Sequence, residues 1–135
     1  TFIYSCVSFY LREIKENFFN QIVFSAILFA CITFIIIGTS KSYTLSVSIS
    51  GLISLLFWKL NFKQKFIGLT YLISLIPFLI VNGILTGSLI DSPIVWYNNE
   101  ENLAVRFFTI PIEDFIYSFS MISSVIIIFN LQKTK

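Results

Sequence analysis

Phe66 to Ile90, FIGLTYLISLIPFLIVNGILTGSLI, contains no Asp, Glu, Lys or Arg. A bilayer core of ~30 Å needs about 20 apolar residues of helix, and this run supplies them. It predicts a membrane-spanning helix. Pro77 predicts a kink near its middle. Gly83 and Gly87 stand at the small-xxx-small spacing that lets two helices approach closely, and Asn82 is the one residue of the run suited to a cavity wall.

Outward from this run, three further segments read as spans: Gln21 to Ile37, Tyr43 to Trp58 and Ile112 to Phe129. The first two lie near the lower length limit of ~17 residues, so their ends borrow flanking polar positions. Ser42, Ser46, Ser50 and Ser54 recur every fourth position and predict a packing seam along the second span. The fold class is therefore all-α: a polytopic membrane protein of four transmembrane helices plus the end of an earlier one, residues 1–11. That opening stretch is too short to cross a bilayer. It also lacks the basic start and small-residue cleavage site of a signal peptide, so the chain reads as the C-terminal part of a longer protein.

Composition agrees, with 56% hydrophobic residues, 12% charged and a mean hydropathy of +0.87, values of the membrane class. A net charge of +2, dispersed along the chain, gives no basic groove for nucleic acid. The chain has no histidine, so proton chemistry falls to Asp, Glu, Tyr, Cys or Lys. Cys6 and Cys31 show no metal-ligand spacing and read as small apolar residues. No phosphate-binding glycine motif is present, and the residues call for neither a cofactor nor a metal.

One connection is long, residues 91–111, with Trp96 and Tyr97 where interfacial aromatics sit. Counted on alternate sides, Arg12, Lys15, Lys59, Lys63, Lys65, Lys133 and Lys135 share one face, against Lys41 and Arg106 on the other. The richer face is expected to be cytoplasmic, placing the C-terminus inside a cell membrane and the long loop outside.

That loop leads into the last span, where Pro111 is expected at the first helical position and Glu113 and Asp114 in the opening turn. An ionisable group in a span is costly and by default marks function. Helical spacing groups Glu113, Tyr117, Ser120 and Ser124, with Asp114 and Ser118 beside them, as a polar stripe; Phe115, Ile116, Phe119 and Ile126 form the opposing face. Two readings stay open for Glu113. It either caps the helix and pairs with Arg106, or it is a general acid whose protonated form is favoured by burial over the pull of the helix N-terminus. Arg106 could itself hold a carboxylate or snorkel to headgroups.

The run Ile110-Pro111-Ile112-Glu113-Asp114, approached through Pro93-Ile94-Val95-Trp96-Tyr97 and Glu101-Asn102-Leu103, resembles the small integral-membrane lycopene cyclases, whose forms are heterodimeric in bacteria and fused in archaea and fungi. The resemblance implies two related three-helix units joined by an extra helix, each with a Pro-x-Glu-(Glu/Asp) segment opening its last helix. On that pattern 1–11 is the end of a preceding helix, 21–37 the connector, 43–130 the second cyclase unit and 131–135 a cytoplasmic tail. A missing N-terminal unit or partner subunit is expected, and the 135 residues alone are expected to be inactive. Ala104 and Phe108 stand where the pattern has glycine, and Asn130 where a glutamate often closes the last helix.

The activity so implied is acid-catalysed cyclisation of the linear end groups of lycopene to β-ionone rings in carotenoid biosynthesis. Glu113 would be the acid, Asp114 its proton-coupled partner or the base, and Glu101, Asn102, Arg106, Tyr117 and Asn82 would organise loop and substrate. Phe107, Phe108 and Phe115 offer ring faces to a transient cation. Two alternatives use the same residues: a carotenoid hydratase, in which water captures the cation, and a non-catalytic membrane subunit completing another chain's pocket. A retinal-type photoreceptor is excluded, because the last span has no lysine to form a Schiff base.

Overall fold

The computed structural model describes residues 1–11, 13–14, 16–60 and 65–133. Five helices run in chain order: α1 (Phe2–Tyr10), α2 (Glu16–Ile37), α3 (Ser42–Leu60), α4 (Ile67–Leu85) and α5 (Glu113–Lys133). Between α4 and α5 lies a two-stranded antiparallel hairpin, β1 (Arg106–Phe107) and β2 (Ile110–Pro111). Four helices, Asn17–Ile37, Ser42–Leu60, Ile67–Leu85 and Glu113–Gln132, are long and apolar enough to cross a membrane. Large apolar side chains such as Phe29, Ile36, Ile76, Ile80 and Ile128 face outward. A continuous apolar exterior suits lipid and not water. The chain is a multi-pass membrane bundle.

α3 packs against α2 and α5, and α4 against α1, α2 and α5. The tightest approach is made by a glycine. A Cβ at Gly51 would stand 2.6 Å from Ile116 Cγ2 on α5 and 2.7 Å from Cys31 Sγ on α2, so three helices meet there only because the side chain is absent. Around this point Leu55, Trp58, Tyr71, Ile116, Phe119 and Ile126 are buried, and the Tyr71 ring meets Phe119 edge-on with centroids 5.4 Å apart.

The serine seam forms in part. Ser50 Oγ donates to Ser120 Oγ at 3.3 Å and Ser54 pairs with Ser124 at 3.5 Å across α3 and α5, whereas Ser46 is exposed on the outer side of α3.

Other expectations are corrected. The helix of the third span stops at Leu85, and Thr86 folds its amide and hydroxyl back onto the Asn82 carbonyl. Gly87 therefore lies outside the helix in a left-handed turn (φ +102°) beside Pro93, and Gly83 faces Ser88. The two glycines shape the start of the loop and do not join helices. Pro111 is paired across the hairpin with Arg106, so α5 opens at Glu113 without it. α2 begins at Glu16, before the expected Gln21.

Lys41 Nζ donates to the Asn99 carbonyl and Arg106 Nη2 to the Asn99 side chain, so the two basic residues assigned to one side do share an end of the bundle. Of the basic residues assigned to the other side, Arg12, Lys15, Lys63 and Lys135 lie outside the described residues, as does the side chain of Lys133.

Candidate active site

The first turn of α3 leaves amide donors without partners inside the helix, and the long loop supplies one. The Glu101 carbonyl accepts from Tyr43 N–H at 3.0 Å and Thr44 N–H at 3.4 Å, while Ser42 Oγ donates to the Glu101 carboxylate. The loop is thereby fixed to the head of α3. Asn102, next in the chain, is buried, and its Oδ1 accepts from the Ala104 amide at 2.7 Å. This Asx turn bends the backbone so that the Leu103 amide points inward.

What the amide meets is Glu113. The Glu113 side chain is fully buried, and its Oε1 accepts from Leu103 N–H at 2.7 Å and from Thr44 Oγ1 at 2.8 Å. Its Oε2 is buried with no hydrogen-bond partner among the described residues. Asp114, 2% exposed, differs. Its Oδ1 accepts from Tyr43 OH at 2.6 Å, and its Oδ2 from Asn82 Nδ2 at 2.8 Å and Tyr97 OH at 2.7 Å. One carboxyl is saturated by three neutral donors, and its neighbour keeps an oxygen free. Both stand in the first turn of α5, where the helix dipole favours negative charge.

Arg106 is not the counter-ion of Glu113. Its Nη1 donates to the Thr109 carbonyl at 2.9 Å and its Nη2 to Asn99 Oδ1 at 2.8 Å, with the guanidinium 5.9 Å from the centre of the Tyr97 ring. It braces the hairpin above the site. Burial, followed by the bond to Asp114, pushes the Tyr97 phenol above its ordinary range, so this hydroxyl stays protonated.

A family model of lycopene cyclase matches residues 40–132. The chain belongs to the lycopene cyclase family. Comparison with curated proteins and with solved structures returns no match. Within the matched range of this cyclase-family chain lie both carboxylates and the partners they have among the described residues: Tyr43, Thr44, Asn82, Tyr97 and Leu103. Membership supports a catalytic role in general terms.

Two departures from the expected cyclase pattern acquire a physical meaning. Ala104 and Phe108, standing where glycine is expected, both adopt left-handed backbone, at φ +57° and +55°. A side chain there costs roughly 1–2 kcal/mol. The turn that delivers Leu103 N–H and the tip of the hairpin are both held against that cost.

Of the predicted site residues, the structure gathers the buried Glu113, Asp114 and Asn102 with the half-buried Asn82 into one cluster, and Glu101 ties the loop to α3. Tyr117 lies elsewhere. It is 49% exposed, on the outward side of α5 with Met121 and Val125, while Ile116, Phe119 and Ile126 turn inward. The rest of the stripe does turn inward, with Glu113, Asp114, Ser118 and Ser120 buried; the inward face of α5 is wider than one stripe, because Gly51 and the aromatics of α3 and α4 also admit Ile116 and Phe119.

Sequence reasoning missed Thr44 and the bonds that Tyr43 and Tyr97 make to Asp114. A signal existed for the first two: Tyr43-Thr44 is a polar pair heading an apolar span, as Glu113-Asp114 is. Among the described residues, no three Asp, Glu, His or Cys side chains converge as a metal site requires. An apolar groove of about 450 Å³ runs between α4 and the hairpin, lined by Ile80, Gly83, Ile84, Phe107 and Phe108 among others. Phe107 also meets Phe115 edge-on at 6.0 Å.

Proposed function

We propose that this chain closes the linear end groups of lycopene into β-ionone rings, with Glu113 as the acid and Asp114 as the base. The observation carrying this reading is the buried carboxyl pair with unequal partners. Glu113 Oε2, lacking a donor, suits the O–H of a neutral carboxyl. Asp114, facing three donors, suits an ionised carboxylate that accepts on both oxygens. Pairs whose environments differ in this way divide acid and base work.

The proton on Oε2 adds to the terminal carbon–carbon double bond and leaves a tertiary cation. The π electrons of the next reacting double bond attack that cation and form the ring bond. Asp114 removes a proton from a ring carbon, and its C–H electrons become the ring double bond. One proton enters and one leaves, so the product is an isomer. The apolar groove between α4 and the hairpin would take the hydrocarbon, with the ring of Phe107, which lines it and meets Phe115, near the developing charge. Glu101 keeps the loop on α3, Asn102 shapes the turn beside it, and Arg106 braces the hairpin. A three-helix unit of the same family, fused or as a partner subunit, completes the pocket in this reading, which the resemblance to fused and heterodimeric cyclases supports. The C-terminus is cytoplasmic, supported by the asymmetry of basic residues.

The test is expression of the full-length protein in a lycopene-accumulating host with mass analysis of the pigments. A cyclic isomer of unchanged mass is expected. A product heavier by one water would reassign the chain to hydration, and unaltered lycopene would reject cyclisation.

A further inference from the structure

Four of the five glycines are required by packing or by backbone. At Gly38 and Gly51 a Cβ would stand 2.7 and 2.6 Å from a side-chain carbon, at Gly68 2.8 Å from the Phe19 carbonyl oxygen, and Gly87 holds φ +102°. Gly83 has neither reason. It lies in the last turn of α4 without left-handed backbone. The nearest atoms to a Cβ there would be Ser88 Oγ at 3.5 Å and Ile110 Cδ1 at 3.9 Å, ordinary van der Waals contacts. Its carbonyl accepts from the Ser88 amide at 2.8 Å, a bond that any residue can make. Glycine is nonetheless the poorer choice in a helix, where alanine loses less entropy.

The atoms that a Cβ at Gly83 would meet belong to Ser88 and Ile110, and all three residues line the apolar groove between α4 and the hairpin. A side chain at position 83 would therefore grow into that groove. Gly83 and Ile110 are buried and form its floor, whereas Ile80, Leu89 and Phe108 are exposed at its rim. Among the described lining residues Ser88 has the one polar side chain, and its hydroxyl is paired with Thr109 Oγ1 at 2.6 Å. We propose that Gly83 sets the depth of this groove and selects a methyl-branched hydrocarbon end, whose terminal methyl groups occupy the space that a side chain would fill. The inference rests on the cyclase reading above. A volume of about 450 Å³ suits one end of a long polyene, the rest of which stays in lipid along the outward side of α4, where Ile76 and Ile80 are exposed. Gly83 touches the substrate but moves no proton, so its replacement acts first on binding.

Lycopene is achiral and acquires circular dichroism in its visible band when a chiral site holds it, which separates bound from lipid-dissolved polyene. Full-length protein in nanodiscs, carrying Glu113→Gln so that lycopene is not consumed, is titrated with lycopene. One carbon too many in an apolar pocket is worth ~10- to 200-fold. Half-saturation is therefore expected at about tenfold higher lycopene when Gly83→Ala is added, and the signal is expected to be lost with Gly83→Leu. The thermal midpoint with Gly83→Ala is expected to equal or exceed that of the Glu113→Gln parent, so weaker binding is not mistaken for misfolding. Ile76→Leu, on the same helix but off the groove lining, is expected to bind as the parent does. No induced signal in the parent, unchanged half-saturation in both Gly83 variants, or an equal loss in Ile76→Leu would overturn the role of Gly83. A lowered midpoint with Gly83→Ala would contradict the spare space on which it stands. An induced signal without ring formation by the wild-type protein would reject the cyclase reading and keep the groove. Ring formation at the wild-type rate by both Gly83 variants, made without Glu113→Gln, would reject the role of Gly83 and keep the cyclase reading.

Discussion

Ala104→Gly is expected to tighten the grip on Glu113. Ala104 holds φ +57°, a conformation that costs a residue with a Cβ roughly 1–2 kcal/mol. Glycine removes that cost but loses about 0.5–1 kcal/mol more backbone entropy on ordering. The difference is a net gain of about 1 kcal/mol in the turn, or roughly a fivefold shift between closed and open loop. The Leu103 amide reports it directly, since it bonds to Glu113 Oε1 at 2.7 Å and sits one residue before the strained position. Site-resolved hydrogen exchange in detergent or nanodiscs is expected to show this amide protected about fivefold more than in wild type. Phe108→Gly supplies the control. It relieves the same strain at φ +55° but forfeits the edge-on contact with Phe107 at 5.0 Å, worth about 0.5–1.5 kcal/mol, so no net gain is expected there. Faster exchange at Leu103 in Ala104→Gly, or an equal gain from both variants, would refute the argument.

Thr44→Val removes one of the two donors to Glu113 Oε1 and is expected to cost about 1–3 kcal/mol, read as a lower thermal unfolding midpoint in detergent; an unchanged midpoint would show that this bond carries no stability. Gly51→Leu forces atoms into space already closed to a Cβ at 2.6 and 2.7 Å, so a loss of about 1–3 kcal/mol or more is expected in the yield of monodisperse protein, while Ser46→Leu on the exposed side is tolerated. Equal behaviour of the two would contradict the packing described. For topology, a reporter fused after Lys135 is expected to work in the cytoplasm, and a cysteine at Asn98 to react with impermeant label from outside; the reverse pattern would invert the orientation.

The charge-free run from Phe66 made the bundle legible, because a span is decided by local composition alone. The carboxyl pair was equally visible, since Glu113 and Asp114 interrupt an otherwise apolar segment. Their partners were not. Tyr43 and Thr44 reach them across sequence separations of 71 and 69 residues, and helical periodicity carries no signal of that length. Periodicity also misplaced Tyr117. Its angle from Glu113 is compatible with one stripe, but the inward face of α5 is fixed by what α3 and α4 present to it. Gly83 and Gly87 show the same limit, because their meaning depends on whether the helix continues past Leu85, and Thr86 ends it. Pro111 was drawn away from the helix by pairing with Arg106, a contact that a hairpin of two residues per strand does not announce. The left-handed positions at Ala104 and Phe108 were foreshadowed only by the resemblance, where glycine was expected.

Glu113→Gln probes the central claim most directly. The amide keeps size and polarity but has no acidic proton to give, so lycopene is expected to remain uncyclised in cells producing the full-length variant. The loss should reach or exceed the upper end of the ~100- to 10,000-fold range for general acid–base groups. Ring formed per folded, membrane-inserted protein is the quantity to compare with wild type. Linear lycopene from a correctly inserted Glu113→Gln protein is the predicted outcome, and near-normal ring formation by that variant would contradict the assignment of Glu113 as the acid.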